Sequence, residues 1–202
     1  MLRDSSLIPC RLSTSTGHIG AIAAGTATAG HIFAFQWTST TKIAYVHRIK
    51  ARWQTNNGPT AEQLIGLDVV RCTGFSALHT GGTAITVTSH NLLLDAVTQP
   101  SGLVSAMVSD TAALTDGTQV LDTEPMGIVM GHELATGATV KRGAMDLDID
   151  FGRGGHGEMT GRELMLRNET GFVIRNRVLM GASLSAFVVF DVEWTEKDIA
   201  GI

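Results

Sequence analysis

The dominant pattern in the chain is an alternation of apolar and polar residues with a period of two. It is clearest over residues 42–54, where alternate positions form an apolar set and a polar set. The apolar positions hold Ile43, Tyr45, Ile49, Ala51 and Trp53, and the polar positions hold Arg48, Lys50, Arg52 and Gln54. Successive side chains of a strand point to opposite faces, so the pattern predicts a β-strand with one buried face. His47 shares the apolar set, where we expect a hydrogen-bonded core imidazole.

Two further segments alternate in the same way. Residues 182–194 keep the pattern throughout, which at about 3.3 Å per residue predicts a strand of roughly 40 Å, twice the usual length. Residues 145–151 alternate large apolar side chains with three aspartates. Less regular strands are predicted over residues 32–37, 67–75, 84–88, 103–108, 163–167 and 171–175.

Helical patterns are short and few. Residues 60–64 (TAEQL) have the features of one capped turn, with Thr60 as the N-cap and Gln63 three positions later. Residues 91–97 are a second candidate, and no segment keeps a 3.6-residue period for three turns. Eight or nine short strands separated by turn residues therefore predict an antiparallel all-β sandwich or barrel.

The first thirty residues differ from the rest of the chain. A polar leader precedes a stretch rich in glycine, alanine and threonine over residues 17–30. We expect residues 1–30 to form an extended arm or an edge segment that gains order from a neighbour. Residues 31–202 are of a suitable length for a single β-sandwich domain.

Composition and charge exclude several classes of protein. The formal net charge of −4 leaves no basic surface for nucleic acid. The longest strongly apolar run extends only from Ala186 to Phe190, against about 20 residues needed to span a bilayer. The first residues lack the apolar core of a signal peptide, so we expect synthesis in the cytoplasm and no membrane partner. Cys10 and Cys72 are expected to be free thiols.

Residues 152–157 match the literal dinucleotide-binding pattern G-x-G-x-x-G. That motif requires a helix to follow it and an acidic residue about 20 positions later. Here Gly161 interrupts the following segment, and Arg175, Asn176 and Arg177 occupy the distal position. We therefore predict a mobile glycine loop between strands and no cofactor.

Seven histidines raise the question of a metal site. The His-x-His pattern of cupin-type enzymes is absent, and the nearest pair is His156-x-Glu158 in the glycine loop. His132 and Glu133 are adjacent, so they would point to opposite faces of a strand. The chain also lacks a G-x-S-x-G nucleophile elbow. The sequence therefore predicts neither metal ligands nor catalytic residues.

Two rows of charged residues, each at a spacing of two positions, are the most informative polar feature. One is the basic row of residues 48, 50 and 52, and the other is the acidic row of residues 146, 148 and 150. Either the rows pair across adjacent strands, each contact contributing about 0.2–1 kcal/mol, or they face neighbouring molecules and set their orientation. A plain solvated face is the third alternative. The residues predicted to mediate protein interactions are these two rows and two members of the glycine loop, namely Arg48, Lys50, Arg52, Asp146, Asp148, Asp150, Arg153 and His156.

A series of short landmarks resembles virion proteins of tailed phages. The landmarks are HIFAFQW at residues 31–37, IKARW at 49–53, TAEQL at 60–64, RCTGF at 71–75, NETGFVIRN at 168–176 and VEW at 192–194. In this order they are similar, over residues 17–196, to small proteins encoded with the head genes and described as capsid cement or decoration proteins. Phe35-Gln36-Trp37 departs from the aromatic-Arg-Trp that is typical of that group.

The resemblance implies a jelly-roll-like antiparallel β-sandwich with an extended N-terminal arm and no catalytic residues. Its expected partners are the major capsid protein and further copies of itself, as a dimer or a trimer. Its expected location is the capsid surface of the virion, after synthesis in the host cytoplasm. The alternatives are a tail, connector or fibre-base protein with the same sandwich, a carbohydrate-binding sandwich, and a cupin-like enzyme.

Overall fold

The computed structural model describes residues 8–13, 20–85, 88–89, 104–135, 144–151 and 164–199, in which every named element is a strand. No helix in these ranges has the length and apolarity needed to cross a membrane. The strands are β1 Ile8–Ser13, β2 Gly20–Ile22, β3 His31–Trp37, β4 Lys42–Asn57, β5 Gln63–Phe75, β6 Thr83–Ala84, β7 Thr88–Ser89, β8 Val104–Val108, β9 Gln119–Leu121, β10 Gly127–Glu133, β11 Ala144–Asp150, β12 Leu164–Leu166, β13 Thr170–Asn176 and β14 Ser185–Asp198.

The strands form two antiparallel sheets. The first has the order β11-β4-β14-β1-β7, with β12 also beside β4 and β2 also beside β14. The second has the order β10-β5-β13-β3-β8-β6, with β9 also beside β5. Their apolar faces pack against each other in one core, so the all-β sandwich predicted from the alternation is confirmed. The jelly-roll topology remains a prediction.

Aromatic side chains from both sheets fill the core. The ring of Phe190 in β14 stacks on Phe33 in β3, with 4.7 Å between the ring centroids. Phe35 stacks on Phe172 at 5.2 Å and meets the edge of Trp194 at 5.1 Å. Such pairs add about 0.5–1.5 kcal/mol to the free energy gained by burial alone. The strand predicted over residues 182–194 is therefore confirmed as a core strand, with the observed bounds Ser185–Asp198.

The predicted inward positions of Tyr45 and His47 are wrong. Both side chains are only partly buried, and Val46 takes the interior position opposite Trp194. The register between β4 and β14 shifts between Glu193 and Trp194, which leaves His47 as an extra residue on β4. A β-bulge of this kind reverses the alternation along the strand. The polar set from Arg48 onward still faces away from the core.

The predicted helical turn at residues 60–64 is also wrong, because β5 begins at Gln63. The backbone there pairs with β10, and the Gln63 side-chain oxygen accepts a hydrogen bond of 3.1 Å from the Gly181 backbone amide. Strand β10 itself was not predicted. Its sequence, GIVMGHE, has apolar residues on both faces, which hides the alternation. The second helix candidate, residues 91–97, lies outside the described residues.

Parts of the predicted N-terminal arm lie in the first sheet. Strand β1 pairs with residues 191–196 of β14, and β2 pairs with residues 186–188. The following turn is tied to Asn176, whose backbone carbonyl accepts from the Ala29 amide at 2.7 Å and whose side-chain amide donates to the Thr26 and Ala27 carbonyls at 3.4 Å. Residues 8–13 and 20–22 are therefore strands of the first sheet, with β1 between β14 and β7, and the division of the chain into an arm and a domain stays a prediction.

Candidate functional site

The two predicted rows of charge lie side by side on adjacent strands. In the β4–β11 register, Arg48 is opposite Asp150, Lys50 is opposite Asp148, and Arg52 is opposite Asp146. We call these six residues the charge ladder. The structure thus shows the two rows paired across adjacent strands, and their role in protein interactions stays a prediction.

The closest contact in the charge ladder runs diagonally. Arg48 Nε donates to Asp148 Oδ1 at 2.8 Å, and Arg48 Nη2 donates to Asp148 Oδ2 at 2.5 Å. This bidentate pair holds the pKa of Asp148 below its ordinary value and raises the pKa of Arg48. The Arg52–Asp146 pair is looser, at 3.7 Å between Nε and Oδ1. Because these groups are accessible to water, the ladder contributes more to strand register than to stability.

We predict that Asp148→Asn lowers the free energy of unfolding at pH 7 and has progressively less effect as the pH falls below 3.8. A carboxyl whose pKa is depressed by folding stabilises the protein above its unfolded pKa, and that contribution is lost as the pH falls through the folded pKa. Urea denaturation at pH 7 and about pH 3 would measure the difference. Asp146→Asn, which removes the looser pair, is the control with a smaller effect. If Asp148→Asn lowered the free energy of unfolding by the same amount at both pH values, the result would contradict this account.

The other two predicted interaction residues, Arg153 and His156, lie outside the described residues, as does the rest of the glycine loop.

Cys72 is a free, buried thiol, and burial raises its pKa. A thiol with a raised pKa is a poor nucleophile at neutral pH.

The structure also brings together three side chains that the sequence analysis did not connect. His31 Nδ1 lies 2.8 Å from His79 Nε2 and 2.8 Å from Asp116 Oδ1. The distance from His79 Nε2 to Asp116 Oδ1 is 3.9 Å. We call these three residues the histidine cluster. Two imidazole nitrogens and a carboxylate oxygen converge on one point, an arrangement that suits a metal ion or a shared proton.

The histidine cluster lies between the outer face of the second sheet and the loops that cover it. His31 begins β3, His79 follows β5, and Asp116 lies between β8 and β9. Thr80 and Thr115 join the two loops through backbone hydrogen bonds of 3.1 and 2.9 Å. Each member of the cluster is thus on, or next to, a segment held by backbone pairing.

Gly117 permits the close approach of these loops. A β-carbon at this position would lie 2.1 Å from the carbonyl oxygen of Ala77. A second apolar cluster anchors the same covering loop, since Leu114 packs with Ala34 and Val173 on the outer face of the sheet. The Leu114 amide also donates to the His31 carbonyl at 2.8 Å. The local sequence and packing therefore position Asp116 over the two imidazoles.

Burial determines the protonation of the cluster. His31 and His79 are almost completely buried, and burial lowers the pKa of each to about 4. Burial also raises the pKa of Asp116, although 56% of its side chain is exposed. The nearby cation, Arg175, is held by Asp68 through hydrogen bonds of 2.9 and 2.7 Å. Both imidazoles are therefore neutral at pH 7, the form that ligates metals.

Two glutamines surround the cluster. The Gln36 oxygen accepts from the His79 backbone amide at 3.0 Å and lies 3.2 Å from His79 Nδ1. Since an amide oxygen only accepts, Nδ1 carries the hydrogen, and the lone pair of Nε2 faces the cluster. Gln119 Nε2 lies 3.3 Å from His31 Nδ1, while its Oε1 is buried without a hydrogen-bond partner among the described residues.

Only the turns beside two members of the histidine cluster can be recognised in the sequence. His79 precedes the turn at Gly81 and Gly82, and Asp116 precedes Gly117. Such glycines predict turns, but His31 and His79 are 48 positions apart, and no local motif links them. Their proximity follows from the strand order of the second sheet and from the loop folded over it.

Comparison of the chain with known protein families, with curated proteins and with solved structures found no match in any of the three searches.

Proposed function

We propose that the protein is a non-enzymatic structural component of a virus particle. In this proposal it binds the outside of the capsid lattice as a homo-oligomer and reinforces it as a cement or decoration protein. The order of the sequence landmarks supports this assignment, and the two-sheet sandwich is compatible with it. Many copies would make the binding strong through avidity, without a dominant contact in each copy.

The observation that carries the proposal is a row of exposed apolar side chains on the outer face of the second sheet. Leu64, Ile128 and Met130 have 55%, 48% and 45% of their surface exposed. They lie on the paired strands β5 and β10, with Met130 opposite Gly66. We call Leu64, Ile128 and Met130 the apolar row. Contiguous exposed apolar patches, unlike single exposed apolar side chains, mark protein-binding surfaces.

Strand β10 supports the same conclusion. It ends the described order of its sheet, and its seven residues include neither lysine nor proline. Natural proteins use such residues to protect exposed sheet edges from pairing with other chains. The charge ladder, in contrast, is largely neutralised within the chain. We therefore place the main capsid contact at the apolar row and assign the ladder a role in orientation.

The test is reconstitution on particles assembled without this protein, followed by electron-microscopy reconstruction. The wild-type chain is expected to cover the shell in many copies. An Ile128→Lys/Met130→Lys variant is expected to lose at least about 90% of this occupancy, because a buried contact would have to accept two unpaired charges.

Val120→Lys is the matched control, because Val120 is 63% exposed on the same sheet but lies on β9, outside the apolar row. We expect it to bind like the wild type. Absence of the chain from the shell would overturn the proposal. A few copies located only at the tail would favour the connector or tail alternative.

A further inference from the structure

We propose that the histidine cluster is a binding site for a divalent transition-metal ion such as Zn²⁺. The ligands are His31 Nδ1, His79 Nε2 and Asp116 Oδ1. Two imidazole nitrogens and one carboxylate oxygen are a ligand set that Zn²⁺ and its first-row neighbours accept. This inference is independent of the proposed function, because it concerns the chain whether or not it belongs to a particle.

The spacing of the three atoms fits such an ion. Ligand atoms about 2.0–2.1 Å from a tetrahedral ion lie about 3.3 Å from one another. The observed separations of 2.8, 2.8 and 3.9 Å lie on either side of this value. Each separation would have to change by about half an ångström, and Asp116, with 56% of its side chain exposed, has room to move.

Hydrogen bonding alone does not satisfy the cluster well. The hydrogen on His79 Nδ1 faces Gln36, so His79 Nε2 is an acceptor. An ionised Asp116 is also only an acceptor, and His31 Nδ1 supplies at most one hydrogen. The three electron-rich atoms therefore share a single proton at most among themselves, and the described residues add one longer donor, Gln119 Nε2, 3.3 Å from His31 Nδ1. A cation at their centre would interact favourably with all three.

The surroundings complete the site. Gln36 orients His79 in the way that outer hydrogen-bond partners orient metal-bound histidines. The unpaired Gln119 Oε1 is an acceptor for a water molecule on the ion. The three ligands come from β3 and two separate loops, so the ion would join the covering loops to the sheet. An ion that binds only to the folded state would stabilise the folded chain.

The experiment uses the full chain after removal of metal with EDTA. Zn²⁺ is titrated in by calorimetry, and Co²⁺ is titrated in parallel while its visible absorption reports the coordination geometry. We expect one ion per chain, a tetrahedral Co²⁺ spectrum and a melting temperature that rises with Zn²⁺ concentration.

Two variants remove single ligands, Asp116→Ala and His79→Gln. Each is expected to weaken Zn²⁺ binding at least about tenfold. The control is His132→Gln, which alters an exposed histidine whose Nε2 lies 3.1 Å from Glu62 Oε1. It is expected to bind Zn²⁺ like the wild type.

A folded wild-type chain that takes up no ion would overturn the proposal. Zn²⁺ binding that is unchanged in Asp116→Ala would overturn it as well, because the ion would then lie elsewhere. If His79→Gln fails to fold, as judged by circular dichroism, Asp116→Ala decides alone, since Asp116 is an exposed loop residue. None of these outcomes bears on attachment to a capsid.

Discussion

Truncation of Phe190 to alanine is expected to lower the free energy of unfolding by about 3–5 kcal/mol. Phe190 is completely buried in the long central strand of the first sheet, and its ring stacks on Phe33 of the opposite sheet. The substitution removes apolar burial and leaves a cavity between the two sheets. Domains of this kind have a total stability of about 5–15 kcal/mol, so the variant would be close to unfolding.

Phe187→Ala is the matched control on the same strand. Phe187 is 38% exposed and lies opposite Gln54, on the face directed away from the core. We expect a loss of less than about 1 kcal/mol. Urea denaturation followed by tryptophan fluorescence is the measurement, since Trp37, Trp53 and Trp194 are all buried. Similar losses for both variants would contradict the orientation of this strand.

The second large effect is expected from Gly171→Ala, which should lower the free energy of unfolding by about 2–3 kcal/mol or more. Gly171 lies in β13, between β3 and β5. A β-carbon there would be 2.1 Å from the carbonyl oxygen of Phe35, so the backbone of two paired strands would have to separate. Backbone atoms in a central strand have little freedom to move.

Gly74→Ala provides the comparison for this prediction. A β-carbon at Gly74 would have nothing within 4 Å, although the residue lies in β5 of the same sheet. We expect a change within about 1 kcal/mol, in either direction, because alanine also restricts the unfolded chain. Thermal and urea unfolding of both variants are the measurements. A Gly171→Ala variant as stable as Gly74→Ala would show that the strand spacing is different.

The outer faces of the two sheets differ in what they carry and in what covers them. The outer face of the first carries the charge ladder, whose residues lie opposite one another along β4 and β11. The outer face of the second is divided between a part covered by the loop at Leu114 and an uncovered part that holds the apolar row. The histidine cluster lies in the covered part. A metal there would stiffen the loops, while the apolar row remains available to a partner.

The fold class could be read from the sequence because burial on one side of a strand leaves a local trace. The alternation ending at Trp194 and the one around Asp148 each required only a short segment, and both became strands of the sandwich. The equal spacing of charges at Arg48 and Asp148 even indicated which two strands could pair. In each case the pattern can be recognised within one short segment, because successive residues of a strand point to opposite faces.

The remaining features depend on contacts between distant parts of the chain. The bulge at His47 exists because β14 shifts its register beside it, and β10 is a strand because β5 lies next to it. The histidine cluster needs the strand order that brings His31 and His79 together and the loop that carries Asp116 over them. Alternation reports which side of a segment is buried, but not which other segment covers it. Long-range packing decides which segments lie against each other, and the histidine cluster exists only because of that packing.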